Sequence, residues 1–328
     1  MKIFKKIVAC AVCLAVLAFT PLVAYSKTTT NGDFPVKTPE HKLVLTVWNV
    51  DTFEGGVGSR TDFLAQTFLD YGKKGVLALT KTHTKESAEN ALNGGEIPDI
   101  ISFGVGLDGV IKYALELPKI NFKGGEIGGK TYAYPWCVGG YFLITKTENN
   151  QLIDRLFISQ NDFNLPFCAL QSEEIKCAEK IFEKPLDAYV DFLAGGKNDA
   201  LLGTQRDLKR LSARKVDFYA KPIGDFSDIA QYVTITATDA ERYAESLSFI
   251  EYLISEESQK KLVKIGMQSP FYDVYDGEEL FGFNFSKIGY TVSPFTQSSA
   301  LCAIISQVNQ KNPTNDSLLR VKNVLKRL

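Results

Sequence analysis

Residues 124–136, GGEIGGKTYAYPW, decide how this chain is to be read, because two incompatible structures compete for them. Gly124, four residues, then Gly129, Lys130 and Thr131 spell the phosphate-loop pattern, whose glycines let backbone amides close round a nucleotide. That chemistry needs a buried strand before the loop and a helix after it, with the helix N-terminus aimed at the phosphates. The residues after Thr131, YAYPWCVGGYFLIT, are instead aromatic and β-branched, interrupted by Pro135 and by Gly139-Gly140. Such residues favour strands, and a proline at that place breaks a helix interior. The preceding LPKINFKGGEIGG holds no apolar run of strand length. The stretch is therefore expected to be a glycine turn between two extended segments.

Outward from it, the N-terminus carries the clearest address. MKIFKK is basic, residues 7–24 are apolar apart from Thr20, and Ala24 and Ser26 form a small-x-small site. This is the layout of a secretory signal peptide cleaved after Ser26. The competing readings are an uncleaved anchor, since eighteen mostly apolar residues can just span a bilayer, and a lipoprotein beginning at Cys10. Residues 27–40 are polar and read as a disordered lead-in. Removing residues 1–26 leaves 302 of 328, enough for two lobes with their own cores. With 37 Lys and Arg against 38 Asp and Glu and no basic cluster, nothing points to nucleic acid. Cys137, Cys168, Cys177 and Cys302 show no metal-type spacing; Cys168 and Cys177 either bridge in an oxidising compartment or stay as buried thiols.

Along the chain, KLVLTVWNV (residues 42–50) is a strand, followed by a glycine-rich loop and a helix opening at Ser59, where Ser59 and Asp62 resemble a capping box. A second helix runs from Thr84 to Gly94-Gly95, and DIISFG is a short buried strand. This alternation predicts an α/β lobe with parallel pairing. Beyond the glycine turn, TYAYPW and GYFLIT are extended and residues 178–194 have a helical pattern. DALLGTQRDLKRL is a strand turning into a helix, VDFYAKPIG and AQYVTITA are strands, and Thr238 with Glu241 caps a long helix. Ser255 starts a further helix ending at Gly266, and the stretch from Ser298 is amphipathic.

In this order, KLVLTVWNV, ALNGGEIPDIISFG, GGKTYAYPWCVGGYFLITK, DALLGTQRDL and ESLSFIEYLISEESQKKLVKIGMQSPF resemble the extracellular solute-binding proteins of ABC importers, in their carbohydrate-binding, maltose-binding-like branch. The resemblance implies a type II periplasmic-binding-protein-like fold, two α/β lobes joined by hinge strands. The first lobe would take residues 41–132 and 223–268, the second 133–222 and 269–328. It also implies a monomer without a cofactor that captures a carbohydrate, an oligosaccharide for preference, between its lobes and delivers it to a membrane permease from an extracellular or periplasmic location. A long helical insertion usual in the family is mostly missing here, so the second lobe is reduced. A sensor or scaffold role without transport therefore stays open.

Sugars are amphipathic discs, recognised by flat apolar faces and planar polar groups, and open α/β sheets present such groups past the carboxyl ends of their strands. On that basis the ligand-binding candidates are Trp48, Asn49, Asp51 and Glu54 after the first strand, and Phe103 ending DIISF. Trp136 and Tyr141 on the hinge strand, Gln205 and Arg206 after ALLGT, and Tyr232 complete the set. Trp48 and Arg206 are expected to face each other across the cleft. An enzyme is the weaker class: His41 and His83 belong to no nucleophile or H-E-x-x-H motif, and Asp51 and Glu54 share one loop rather than flanking a cleft. Export with cleavage predicts a mature protein beginning at Lys27, which intact-mass spectrometry of the secreted material reads directly; a chain retaining Met1, or a lipid-modified one beginning at Cys10, would contradict it.

Overall fold

A computed structural model describes residues 43–51, 58–120, 125–148, 152–159, 178–223, 226–275, 290–291, 293–297 and 299–300. The expected signal segment and lead-in, His41, Glu54, Gly124, the other cysteines and most of the C-terminal stretch from Ser298 lie outside these residues. Cys137 is a free, buried thiol.

The chain opens with β1 (Leu43–Asp51), α1 (Arg60–Tyr71), β2 (Val76–Thr84), α2 (Lys85–Asn93) and β3 (Ile100–Gly104). Ser59 caps α1 by accepting from the Asp62 amide, and Gly72 ends it with a φ of 61°, a left-handed conformation that costs glycine least. A hairpin, β4 (Glu126–Ile127) and β5 (Lys130–Thr131), precedes β6 (Tyr134–Val138). Then come β7 (Tyr141–Thr145), β8 (Arg155–Ser159), β9 (Glu179–Glu183), α3 (Pro185–Ala194), β10 (Ala200–Thr204), α4 (Gln205–Ala213) and β11 (Tyr219–Ile223). Finally β12 (Phe226–Ser227), β13 (Ala230–Ile235), α5 (Ala240–Leu253), α6 (Glu256–Gln259), a 3₁₀ turn (Lys260–Ile265) and β14 (Tyr290–Thr291) follow.

The phosphate-loop pattern falls on the hairpin. Gly128 and Gly129, at φ 60° and 81°, form its two-residue turn, which requires positive φ at both positions. No helix begins after Thr131; Lys130 starts a strand and its ammonium pairs with Glu116 at 2.6 Å on the surface.

Two five-stranded sheets carry the fold. The first has the order β2-β1-β3-β13-β6 and the second β11-β7-β10-β8-β9. In each, three strands are mutually parallel, the fourth runs against them, and the fifth against the fourth. The antiparallel members, β13 and β7, are the strands the chain forms just after passing from one sheet to the other. This is the two-lobed type II arrangement. The boundary falls later than residue 132, because β6 is hydrogen-bonded to β13 in the first sheet and the crossing occurs at Gly139-Gly140.

Other elements differ from the sequence reading for local reasons. Residues 178–194 split into the strand β9 and the helix α3, divided by Pro185, which fits the first helical turn but not its interior. The cap of α5 is Asp239, whose carboxylate accepts from the amides of Glu241 and Arg242. β2 escapes a hydrophobic-pattern search because it is an edge strand whose side chains are mostly exposed or half-exposed. His83 sits on β2, 3% exposed, with its ring centroid 4.2 Å from that of Trp48 and Nδ1 3.0 Å from Ser87 Oγ.

Packing explains which strand faces are apolar. On one face of the first sheet, Leu45, Val47, Phe63, Phe68, Trp136, Val233 and Phe249 join one cluster under α1 and α5. On the other, Trp48, Val50, Phe103 and Tyr232 pack with Ala88 and Leu92 of α2. Burial lowers the pKa of His83, and Lys81 adds to the effect while Glu96 opposes it. The unfolded chain, at an ordinary value of about 6.5, then binds protons that the folded chain refuses. Stability is full above that value and falls as pH drops through the window below it. Urea midpoints should decline from pH 7 to pH 5, and His83→Gln should flatten that decline; a slope unchanged by the substitution would remove His83 as its source.

Candidate functional site

The carboxyl ends of β1 and β3 and the amino end of β13 meet at one edge of the first sheet. Asn49 pairs in register with Ser102, Val50 with Phe103, and Gln231 with Gly104. A buried polar network occupies this edge. Ser102 Oγ donates to Asn49 Oδ1 at 3.1 Å and accepts from Trp136 Nε1 at 3.0 Å. Gln231 Nε2 lies 3.2 Å from Asn49 Oδ1 and 3.1 Å from both the Val50 carbonyl and Ser102 Oγ. Asn49, Ser102, Trp136 and Gln231 are each at most 1% exposed. Buried polar groups are tolerated when they satisfy one another, and here, with Gln231 Oε1 alone of the four side chains' polar atoms left over, they tie four strands together.

The network surfaces at Asp51. Asn49 Nδ2 donates to Asp51 Oδ1 at 2.9 Å, and Arg60, the first residue of α1, approaches the same oxygen with Nε at 3.1 Å and Nη2 at 2.7 Å. The Arg60 side chain is 9% exposed and that of Asp51 is 47% exposed. The carboxylate is therefore braced from behind and open in front, positioned before any ligand arrives.

The second sheet meets this edge at the crossing. Tyr141 donates its hydroxyl to Asp228, and both are buried. Gln205 Oε1 accepts from the Gly140 amide at 3.0 Å, and the Gly139 amide donates to the Ile229 carbonyl at 2.7 Å. A Cβ on Gly139 would come within 2.6 Å of both Gln205 Nε2 and Ile229 Cγ2, so this position has no room for a side chain. Arg206 is buried, with Nη2 3.3 Å from Asp207 Oδ1; Asp207 also caps its own helix by accepting from the Thr204 amide at 3.0 Å.

Of the ten candidates, Asn49, Asp51, Trp136 and Gln231's neighbours Phe103 and Tyr232 lie toward the first-sheet edge, Tyr141 and Gln205 gather at the crossing, and Arg206 turns to Asp207. Glu54 lies outside the described residues. Trp48, Phe103, Trp136, Tyr141 and Tyr232 are all between 0 and 6% exposed. Trp48 does not face Arg206 across an open cleft: strand alternation turns its ring onto the α2 side, against His83 and Leu92. Trp136 stacks on Phe63 with ring centroids 5.5 Å apart. Sequence reading missed Arg60, Ser102, Asp228, Gln231 and Phe295, whose ring lies 5.8 Å from Phe103. Arg60 was within reach, since a basic residue at the very start of a helix opposes the helix dipole and calls for a carboxylate partner.

Among the described residues, no group of three or more His, Cys, Asp or Glu is arranged to hold a metal, and no helix is long and apolar enough to cross a membrane. No protein-family model matches the chain, and no curated protein matches its sequence. Solved structures do share its fold. The sugar-binding protein MalE from the phytopathogen Xanthomonas citri superposes with a TM-score of 0.57 at 12% identity, over 87% of this chain and 96% of that one. The GacH receptor of Streptomyces glaucescens, described unliganded and with acarbose and an acarbose homolog, gives a TM-score of 0.55 at 13% identity, over 87% and 98%. The two-lobed architecture expected from the sequence is thus the architecture of these sugar-binding proteins; at such identity the likeness speaks for the fold alone.

The network generates its own test. Gln231→Leu keeps the volume but leaves Asn49 Oδ1 and the Val50 carbonyl short of a donor, which should cost roughly 1–3 kcal/mol in urea unfolding. A loss below about 0.5 kcal/mol, the range of indifferent surface changes, would show that the edge is held by packing instead.

Proposed function

We propose that this protein is an exported solute-binding protein that takes a carbohydrate between its lobes and presents it to the permease of an ABC importer. The observation that carries this reading is the Asp51 carboxylate, half exposed at the carboxyl edge of the first sheet and fixed from behind by Asn49 and Arg60. Sugar hydroxyls donate well to a preset carboxylate, because no side-chain ordering has to accompany binding. The fold shared with MalE and GacH supports the substrate class, and no catalytic pair or metal enters the reading.

The lobes then correspond to the two sheets, and the ligand sits where β1 and β3 end and β13 begins, opposite the start of α4. Asn49 acts through Asp51, while Gln205 and Tyr141 shape the floor. A two-lobed scaffold or sensor without transport is the second reading, and one observation favours it. All five aromatic candidates are buried, so none of them offers an open face on which a pyranose ring would stack.

A thermal-shift panel of mono- to tetrasaccharides, amino acids and short peptides separates these readings, since a ligand of the native state raises its melting temperature. At least one oligosaccharide should raise it, and Asp51→Asn, which keeps an oxygen for Arg60 and Asn49, should fold normally yet bind that sugar at least tenfold more weakly, a loss of about 1.4 kcal/mol. Shifts by peptides alone would exclude the carbohydrate class, and a panel without any shift would favour the scaffold.

A further inference from the structure

Gln205 and Lys209 lie four residues apart on α4, so they share one side of that helix. Both reach out of the second lobe. Gln205 is fully buried, with Oε1 on the Gly140 amide at 3.0 Å and Nε2 3.6 Å from Met267 Sδ. Lys209 Nζ donates to the Val263 carbonyl at 2.7 Å and lies 5.8 Å from the centre of the Tyr275 ring.

Val263 belongs to the 3₁₀ turn Lys260–Ile265, and that turn looks both ways. Leu262, Ile265 and Met267 pack in the cluster that holds Leu45, Phe63 and Trp136 of the first lobe. Val263 packs instead against the cluster of Phe142, Leu208 and Tyr275 in the second. Just beyond it, Gln268 and Val138 exchange two backbone hydrogen bonds of 2.9 Å, pinning this segment to the end of β6. One helix face of the second lobe therefore grips both the glycine crossing and a first-lobe segment.

These two grips differ mechanically. Gln205 sits against Gly139, which leaves no space for a Cβ, so its amide is wedged at the point about which the lobes must turn. Lys209 lies about 6 Å further along the helix axis, where a given rotation moves atoms more. Hydrogen bonds weaken steeply once stretched past their normal range, so the Lys209 contact parts first. Lys209 is half-buried, and on opening its ammonium exchanges a carbonyl at the end of a helical turn, a favourable place for a cation, for water.

We propose that Gln205 and Lys209 form an interlobe latch: Gln205 is the fixed pin at the glycine crossing, and Lys209 is the releasable catch that sets how readily the lobes part. The latch regulates opening whatever ligand the protein takes, so its test needs none. The assignment also moves Gln205 from ligand contact to pivot.

The test is native-state hydrogen exchange on the full chain, read in peptides covering residues 138–145, 262–269 and, as an internal control, β3 and α5. Lys209→Met, which keeps the apolar stem and removes the ammonium, should speed exchange about tenfold in the peptide covering 262–269 and enlarge the solution radius of gyration. Exchange in β3 and α5 should stay at wild-type rates, and Lys209→Arg should return the 262–269 peptide to slow exchange. Gln205→Leu should speed the Gly140 amide as well; if that variant fails to fold, the Lys209 pair decides alone. Unchanged exchange in the 262–269 peptide of Lys209→Met, or an increase spread evenly over both lobes, overturns the latch.

Discussion

Everything in this fold passes through a place where a side chain does not fit. Gly139 is hemmed by Gln205 and Ile229 at distances no Cβ tolerates, and its neighbour Gly140 gives its amide to Gln205. That close approach lets β6 end one sheet and β7 begin the other with a two-residue connection. The return passage, through Asp228 and Ile229 into β13, packs against the same glycines. With both passages held together, each sheet receives its antiparallel strand from the far side, and the two lobes share an apolar cluster running from Leu45 and Trp136 to Tyr141 and Leu156.

The polar network at the first-sheet edge is the second consequence. Three strands that arrive from distant parts of the chain, β1, β3 and β13, bring Asn49, Ser102 and Gln231 within hydrogen-bonding distance. An isolated amide or hydroxyl in that setting would be costly to bury; together they supply most of one another's partners, with Gln231 Oε1 left over. Trp136 joins through its indole N–H, so its large apolar ring fills the core while its one polar atom stays satisfied. What reaches the surface is a single braced carboxylate, Asp51, whose orientation is inherited from this interior.

Burial reverses the roles first assigned to several residues. A tryptophan beside asparagine and aspartate at a strand end looks ligand-facing, but alternation along β1 sends Trp48 under α2 and Asn49 into the network. Gln205 and Arg206, at the helix start after ALLGT, turn inward to the crossing and to Asp207. Phe103 is covered by Phe295, a residue about 190 positions later that no local pattern connects to it. These are facts of tertiary packing, and a strand's period of two constrains which face a residue takes without saying what covers that face.

The sequence by itself determined the class of the fold and much of its punctuation. Pro135 and the β-branched run after Thr131 rule out the helix a phosphate loop requires, and Gly128-Gly129 suit a hairpin turn, because proline and glycine act through backbone geometry alone. Ser59, Gly72 and Gly266 mark helix ends for the same local reason. Strands without an amphipathic signature, such as β2 and β9, were not legible, since an edge strand need not alternate when little covers it. Only the tertiary structure decided which polar residues meet. Asn49, Ser102 and Gln231 stand 53 and 129 positions apart along the chain, and their contact depends on sheet order, which long-range packing selects and short-range propensity does not encode.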